Sequence, residues 1–169
     1  MRRKVYNEVI IKIYMFKIYK VKFSSLPDDE KELVNKAIEV RKFGYSTRSG
    51  AKVGAAVKSR EGKIFSGVNV GNVTSTLNVH AEVAAACNAV SNGYKDLTKI
   101  AVVPFEENIN EDIEQCGVCL QFLSEFCNGD FKFIVADEKK NICFTYFKEI
   151  FPKPFGGKLE GMPFKKAKN

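Results

Sequence analysis

Residues 78–86 read Asn-Val-His-Ala-Glu-Val-Ala-Ala-Ala, and residues 115–119 read Gln-Cys-Gly-Val-Cys. His80 is the only histidine in the chain, Glu82 follows two residues later, and Cys116 and Cys119 form a Cys-x-x-Cys pair 34 residues beyond Glu82. One imidazole and two thiols suit a tetrahedral zinc ion, and a set of three protein ligands leaves the fourth position for water. Glu82, a carboxylate that is not a ligand, can move protons beside such a site. A fold for this chain must therefore bring two segments distant in sequence to one place.

Both segments fall at predicted helix starts. There the free N–H groups and the positive end of the helix dipole are expected to favour thiolate over thiol. Cys116 and Cys119 are three apart and share one face of a turn. His80 and Glu82 do not share a face of a regular helix, but in a frayed first turn they can point to the ion and to its water respectively. Two thiolates and a neutral imidazole leave zinc formally neutral and still Lewis-acidic. Taken singly, each feature has a plainer reading. A lone histidine opening a helix is usually a surface or capping residue, Glu82 alone suits the helix dipole, and a lone Cys-x-x-Cys is often structural. A closed structural zinc site would need a fourth protein ligand, and none lies nearby with suitable spacing. A redox Cys-x-x-Cys would want a neighbouring βαβ pattern, which is absent. The ordered conjunction points to an open, catalytic site, and His-x-Glu followed by Cys-x-x-Cys is an established signature of zinc deaminases.

The length of 169 residues suits one domain. No run is long and apolar enough to span a bilayer as a helix. Met1-Arg-Arg-Lys followed by Val5-Tyr6 faintly resembles a signal peptide, but Asn7, Glu8 and Lys12 interrupt the apolar run and no small-residue cleavage site follows. A cytoplasmic location is expected. Of the five cysteines, Cys87, Cys127 and Cys143 stand among apolar residues and are expected to be small core side chains. The net charge of +7 is unevenly placed: residues 1–23 carry +6, residues 148–169 carry +4, and residues 24–147 carry −3. Basic ends on a slightly acidic body suit solubilising tails better than a nucleic-acid groove, so nucleic acid is an improbable partner.

Read in order, residues 1–23 are a basic extension of unknown role, with a hint of strand at 16–18 and 21–23. Pro27-Asp-Asp-Glu30 opens a helix that Ser25 or the aspartates can cap, with Leu33, Ala37, Ile38 and Val40 on its apolar stripe and Gly44 placed to end it. Val53–Val57 and Lys63–Val68 form a hairpin turned by Glu61-Gly62. The Asn/Thr/Ser/Gly run 69–78 has the composition of a ligand-facing loop. A helix follows from about Val79 to Ser91, and its Ala84-Ala85-Ala86 permits close packing. Then come a strand at 98–103, an acidic loop at 104–115, a helix from 115 to about 126, and strands at 131–136 and 142–146. The alternation implies a mixed sheet covered by helices, with a main domain at 24–157 and a basic tail at 158–169.

With Tyr45-Ser46, Val53-Gly-Ala-Ala56, Gly62-Lys-Ile-Phe-Ser-Gly-Val-Asn69 and Phe151-Pro152 through Phe155-Gly156, the chain over about 28–157 resembles the cytidine deaminase family. That resemblance implies an α/β fold: a three-layer α/β/α sandwich with a five-stranded mixed sheet, usually a homotetramer with active sites near subunit contacts. It also implies one zinc per subunit on His80, Cys116 and Cys119, a catalytic Glu82, the Ala81 backbone N–H on the pyrimidine carbonyl, and Asn69 on the ribose of a small nucleoside substrate. The expected reaction is hydrolytic deamination of cytidine or deoxycytidine in pyrimidine salvage. Members of similar length usually carry Cys-Ala-Glu-Arg, and here a thiolate and its compensating arginine are absent together in His80-Ala-Glu-Val83. The chain also departs from the family at Gly71, where a ribose-binding glutamate is usual, and at Ala51, where a phenylalanine packs on the pyrimidine. Gln115 and Leu120 replace the usual proline and arginine around the metal cysteines. Blasticidin S deaminases also lack that glutamate, so a cationic aminopyrimidine is the alternative substrate. Five acids in the 104–115 loop would disfavour a substrate carrying phosphate.

Overall fold

The structure is a computed structural model that describes residues 17–105, 109, 113 and 115–156. Its strands are β1 (Tyr19–Lys22), β2 (Gly54–Ser59), β3 (Ile64–Val68), β4 (Leu97–Val103), β5 (Lys132–Ala136) and β6 (Asn141–Tyr146). Its α-helices are α1 (Asp28–Arg41), α2 (Ala81–Ser91), α3 (Gly117–Leu123) and the single turn α4 (Phe147–Ile150). The sheet order is β1-β6-β5-β4-β2-β3, with β4–β5 parallel and the other neighbours antiparallel. Among the described residues, no helix is long and apolar enough to cross a membrane.

The period-two alternation of the strands divides the core into two layers. Ala55, Val57, Ile100, Val102, Phe133 and Val135 point to the side covered by α2, α3 and α4. Their neighbours Ala56, Ala101, Val103, Ile134 and Ala136 point to the side covered by Leu33, Val34 and Ala37 of α1. Full burial of side chains such as Leu33, Ile100 and Phe133 contributes about 1.5–3 kcal/mol each. The three-layer expectation holds.

The sheet has six strands rather than five. The additional edge, β1, lies inside the segment read as an extension and pairs with β6 in register Tyr19↔Phe144 through Lys22↔Asn141. Tyr19 stacks on Phe144 with ring centroids 4.8 Å apart, so an aromatic cross-strand pair recruits the segment. Residues 1–16 and 157–169 lie outside the described residues, and so do the first strand hint at Phe16 and the basic tail. The helix start also differs from expectation: Pro27 is the N-cap of α1 with no side-chain cap, and the Ser25 hydroxyl donates instead to the Lys22 carbonyl at 2.7 Å. Cys127 and Cys143 are buried as expected, but Cys87 is exposed, because the buried side of α2 is taken by Ala81, Ala85, Ala86 and Ala89.

Helices approach the sheet closely where glycines line it. A side chain at Gly67 of β3 would put its Cβ 2.2 Å from the Ala85 backbone nitrogen, and one at Gly54 of β2 would come 2.2 Å from the Ala37 carbonyl oxygen. At the sheet end where β4 and β5 begin, the nearly buried Glu30 accepts from Lys99 at 2.9 Å and Lys132 at 2.7 Å, while Asp29 accepts from Lys58 at 2.8 Å and Lys99 at 2.9 Å. These bonds tie the first turn of α1 to three strands. The other end, where β4 and β5 finish, is left for loops.

Candidate metal centre and active-site cavity

His80 is the N-cap of α2 and Cys116 the N-cap of α3, both with extended backbone (φ −81° and −67°). Each carbonyl accepts the first helical bond, from Ala84 N–H at 2.9 Å and from Leu120 N–H at 3.0 Å. Each side chain therefore projects from the mouth of its helix. The segment before His80 is held in place by a two-bond bridge between Val70 and Val79, both bonds 2.9 Å, and by the Asn72 N–H donating to Asn78 Oδ1 at 2.7 Å. The polar loop at 69–78 thus sets where His80 stands.

The donor atoms of His80, Cys116 and Cys119 lie within 4.8 Å of one another. Tetrahedral zinc with ordinary bond lengths needs its nitrogen and sulfur donors about 3.5–3.8 Å apart, so small side-chain adjustments close the triad on an ion. His80 Nδ1 is 3.2 Å from Cys119 Sγ and faces the triad. Cys119 is buried, Cys116 half-buried and His80 exposed, so the site is closed below and open above. Burial pushes the Cys119 thiol well above its usual range, and the neighbouring Glu82 carboxylate and Cys116 push it further the same way. Desolvation at this third position of α3 opposes the thiolate expected from a helix start. A cation among the three donors compensates that burial, which is what a metal does for a coordinating thiol. The residues fit zinc.

Glu82, 7% exposed in the first turn of α2, sits beside Cys119 and lines the same cavity as His80 and Cys116. The cavity is about 670 Å³, large enough for a nucleoside. Its lining includes His80, Ala81, Glu82 and Cys116 together with Ser46, Ser49, Asn69 and Gly71. No lysine or arginine lines it among the described residues.

Asn69 faces this cavity, yet its amide is already engaged. Oδ1 accepts from the Val53 N–H at 2.7 Å, and Nδ2 donates to the Ala51 carbonyl at 2.9 Å and more loosely to the Tyr45 carbonyl at 3.4 Å. The side chain laces the 45–53 loop to the end of β3. On that loop the hydroxyls of Ser46 and Ser49 lie 2.8 Å apart on the cavity wall, and a side chain at Gly71 would come 3.1 Å from Ser46 Cα. Ala51 is not part of the wall, whereas Phe105, which sequence reasoning passed over, is. The five acids Glu106, Glu107, Glu111, Asp112 and Glu114 lie outside the described residues.

Comparison with known proteins places this geometry. Residues 27–135 match the family profile for the cytidine and deoxycytidylate deaminase zinc-binding region. A cytidine deaminase of Halalkalibacterium halodurans is 31% identical over 127 residues, spanning 75% of this chain and 94% of the relative. A blasticidin-S deaminase of Bacillus cereus is 29% identical over 137 residues, covering 78% of this chain and 96% of the relative. The crystal structure of a cytidine deaminase from Burkholderia pseudomallei superposes with a TM-score of 0.65 at 29% identity, over 74% of this chain and 98% of that one.

Proposed function

Because this chain belongs to the cytidine and deoxycytidylate deaminase zinc-binding family, we propose that it hydrolyses cytidine or deoxycytidine to the corresponding uridine nucleoside and ammonia. The observation that carries this reading is the convergence of the His80, Cys116 and Cys119 donor atoms within 4.8 Å of one another, at a nucleoside-sized cavity that His80, Cys116 and the non-ligand Glu82 line. Zinc on the three donors supplies Lewis acidity and lowers the pKa of water. Glu82 carries the protons: it accepts one from the water that adds to the amine-bearing ring carbon, delivers it to the ring nitrogen, and helps the amine depart as ammonia. The Ala81 N–H, unpaired within the helix at the first position of α2, is free to donate to the pyrimidine carbonyl. Asn69 holds the wall facing the ribose and keeps one Oδ1 lone pair for it, beside the hydroxyls of Ser46 and Ser49. The lack of lysine or arginine among the described lining residues supports a free nucleoside over a phosphorylated one or a polynucleotide.

Glu82→Gln tests the assignment, with zinc content and ammonia release measured on the same preparation. We expect zinc retained and turnover reduced by about 10²–10⁴-fold, the usual worth of a general acid–base. Comparable turnover by the variant would remove Glu82 from the mechanism. Gly71 and the likeness to a blasticidin-S deaminase favour a second reading, an aminopyrimidine substrate other than cytidine. Ammonia release from cytidine, deoxycytidine, cytosine and blasticidin S separates the two, and a cytidine rate far above the others dismisses the second. Five cysteines without a disulfide suit a reducing cytoplasm and a role in pyrimidine salvage. The family resemblance supports a homotetramer, which light scattering of the full chain tests.

A further inference from the structure

Phe105 is the only aromatic side chain other than the His80 imidazole among the described residues lining the cavity. It stands directly after Pro104 at the end of β4, and it is 52% exposed. A large apolar ring left uncovered on a concave wall marks a place where a ligand completes the packing.

The ring is carried on a backbone that is held from behind. Arg41, in the last turn of α1, donates through Nε to the Pro104 carbonyl and through Nη2 to the Phe105 carbonyl, both at 2.9 Å. Its Nη1 pairs with Glu138 in the β5–β6 turn. A planar guanidinium gripping two successive carbonyls fixes the peptide between them in a way that a single flexible ammonium cannot. Pro104 adds its own fixed φ. A surface loop that merely happened to expose a phenylalanine would not need this brace.

We infer that Phe105 supplies the face against which the substrate's base stacks, and that Arg41 is the positioning residue that keeps it there. The inference rests on the nucleoside reading above. The edges of a pyrimidine are met by polar groups, with the amine-bearing carbon toward Glu82 and the metal donors and the carbonyl toward the Ala81 N–H. Its faces need apolar or aromatic cover. Among the described residues that line the cavity, the aliphatic side chains, such as Val53, Val102 and Ile109, carry no π-face, and Phe105 is the one ring besides the His80 imidazole of the metal triad.

The chain has no tryptophan, so Phe105→Trp installs a single reporter at the position in question. Uridine, the product, is the probe, titrated at concentrations that inhibit cytidine turnover, with ribose as control. We expect a saturable change in emission with uridine and none with ribose. In kinetics, stacking on one base is commonly worth a factor of about ten or more in binding, so Phe105→Ala should raise KM for cytidine by about tenfold while zinc content stays whole and the larger loss falls on KM rather than kcat. Phe105→Tyr should restore KM and Phe105→Leu should not, since packing volume alone would be served by leucine. Unmoved emission at inhibitory uridine, a leucine variant equal to wild type, or a Phe105→Ala KM within about twofold of wild type would overturn the inference. A wild-type protein releasing no ammonia from any aminopyrimidine nucleoside would overturn the functional reading itself, and that is seen before any variant is made.

Discussion

Helix α2 carries His80 at its mouth and Glu82 in its first turn, so the distance of α2 from the sheet sets the position of both groups. That distance is set by Gly67. An alanine there would place its Cβ 2.2 Å from the Ala85 backbone nitrogen, 2.6 Å from the Ala84 carbonyl carbon and 2.7 Å from the Ala84 Cβ, all firm neighbours and two of them main chain. Ordinary contact begins near 3.4 Å, so helix or strand must recede by about 1.2 Å. Overpacking of a core costs about 1–3 kcal/mol, and backbone against backbone belongs at the upper end. In a chain of this size, that lowers Tm by roughly 5–10 °C. A catalytic group displaced by about 1 Å loses on the order of 10² in rate. Cys119 stands on α3, not α2, so the displacement does not carry all donors together and the triad must open. Gly67→Ala is therefore expected to lower Tm, zinc stoichiometry and kcat/KM at once. Gly117→Ala is the control: nothing lies within 4 Å of its Cβ and it is helical, so Tm should hold or rise slightly. Calorimetry, zinc analysis and steady-state kinetics on the pair decide the matter. A Gly67→Ala protein melting within 1 °C of wild type with unchanged kcat/KM would refute the close-packing account.

Arg41→Lys keeps the positive charge beside Glu138 but not the fork on the Pro104 and Phe105 carbonyls. KM for cytidine should rise severalfold with zinc retained, and an unchanged KM would show that the brace is idle. Asp29, bonded to Lys58 and Lys99, has its pKa lowered to about 2. A folded pKa below the unfolded one means that its stabilisation is complete above about pH 4 and is lost as pH falls toward 2. Urea midpoints of wild type and Asp29→Asn should differ at pH 6 and converge by pH 2; a constant difference across that range would remove Asp29 from the acid transition.

What sequence could read here was local pattern and chemical identity. Strands β2, β4 and β5 were legible as short apolar runs, and the structure covers each of them on both faces. The ligand set was legible because imidazole, thiol and spacing each carry metal chemistry of their own. The sixth strand showed only as a hint at 16–18 and 21–23, because Tyr19–Lys22 has little burial of its own and gains its place from Phe144, more than 120 residues away.

The same distinction separates the parts of the site. His80, Cys116 and Cys119 announce a role by what they are, whereas Asn69, Phe105 and Arg41 acquire one only from where the fold puts them. Asn69 is a substrate contact by resemblance, yet its amide is already engaged by the backbone of the 45–53 loop. Its removal would therefore first loosen the loop that carries Ser46 and Ser49, and only through that loop the sugar. Arg41 stands in the last turn of α1, where a cation suits the helix dipole. Its three bonds, however, go to residues 63, 64 and 97 positions away. Metal chemistry in this fold is written in residue type and spacing. Substrate selection is written in long-range contacts, which is why a departure such as Gly71 cannot be weighed until the residue facing it in space, Ser46, is known.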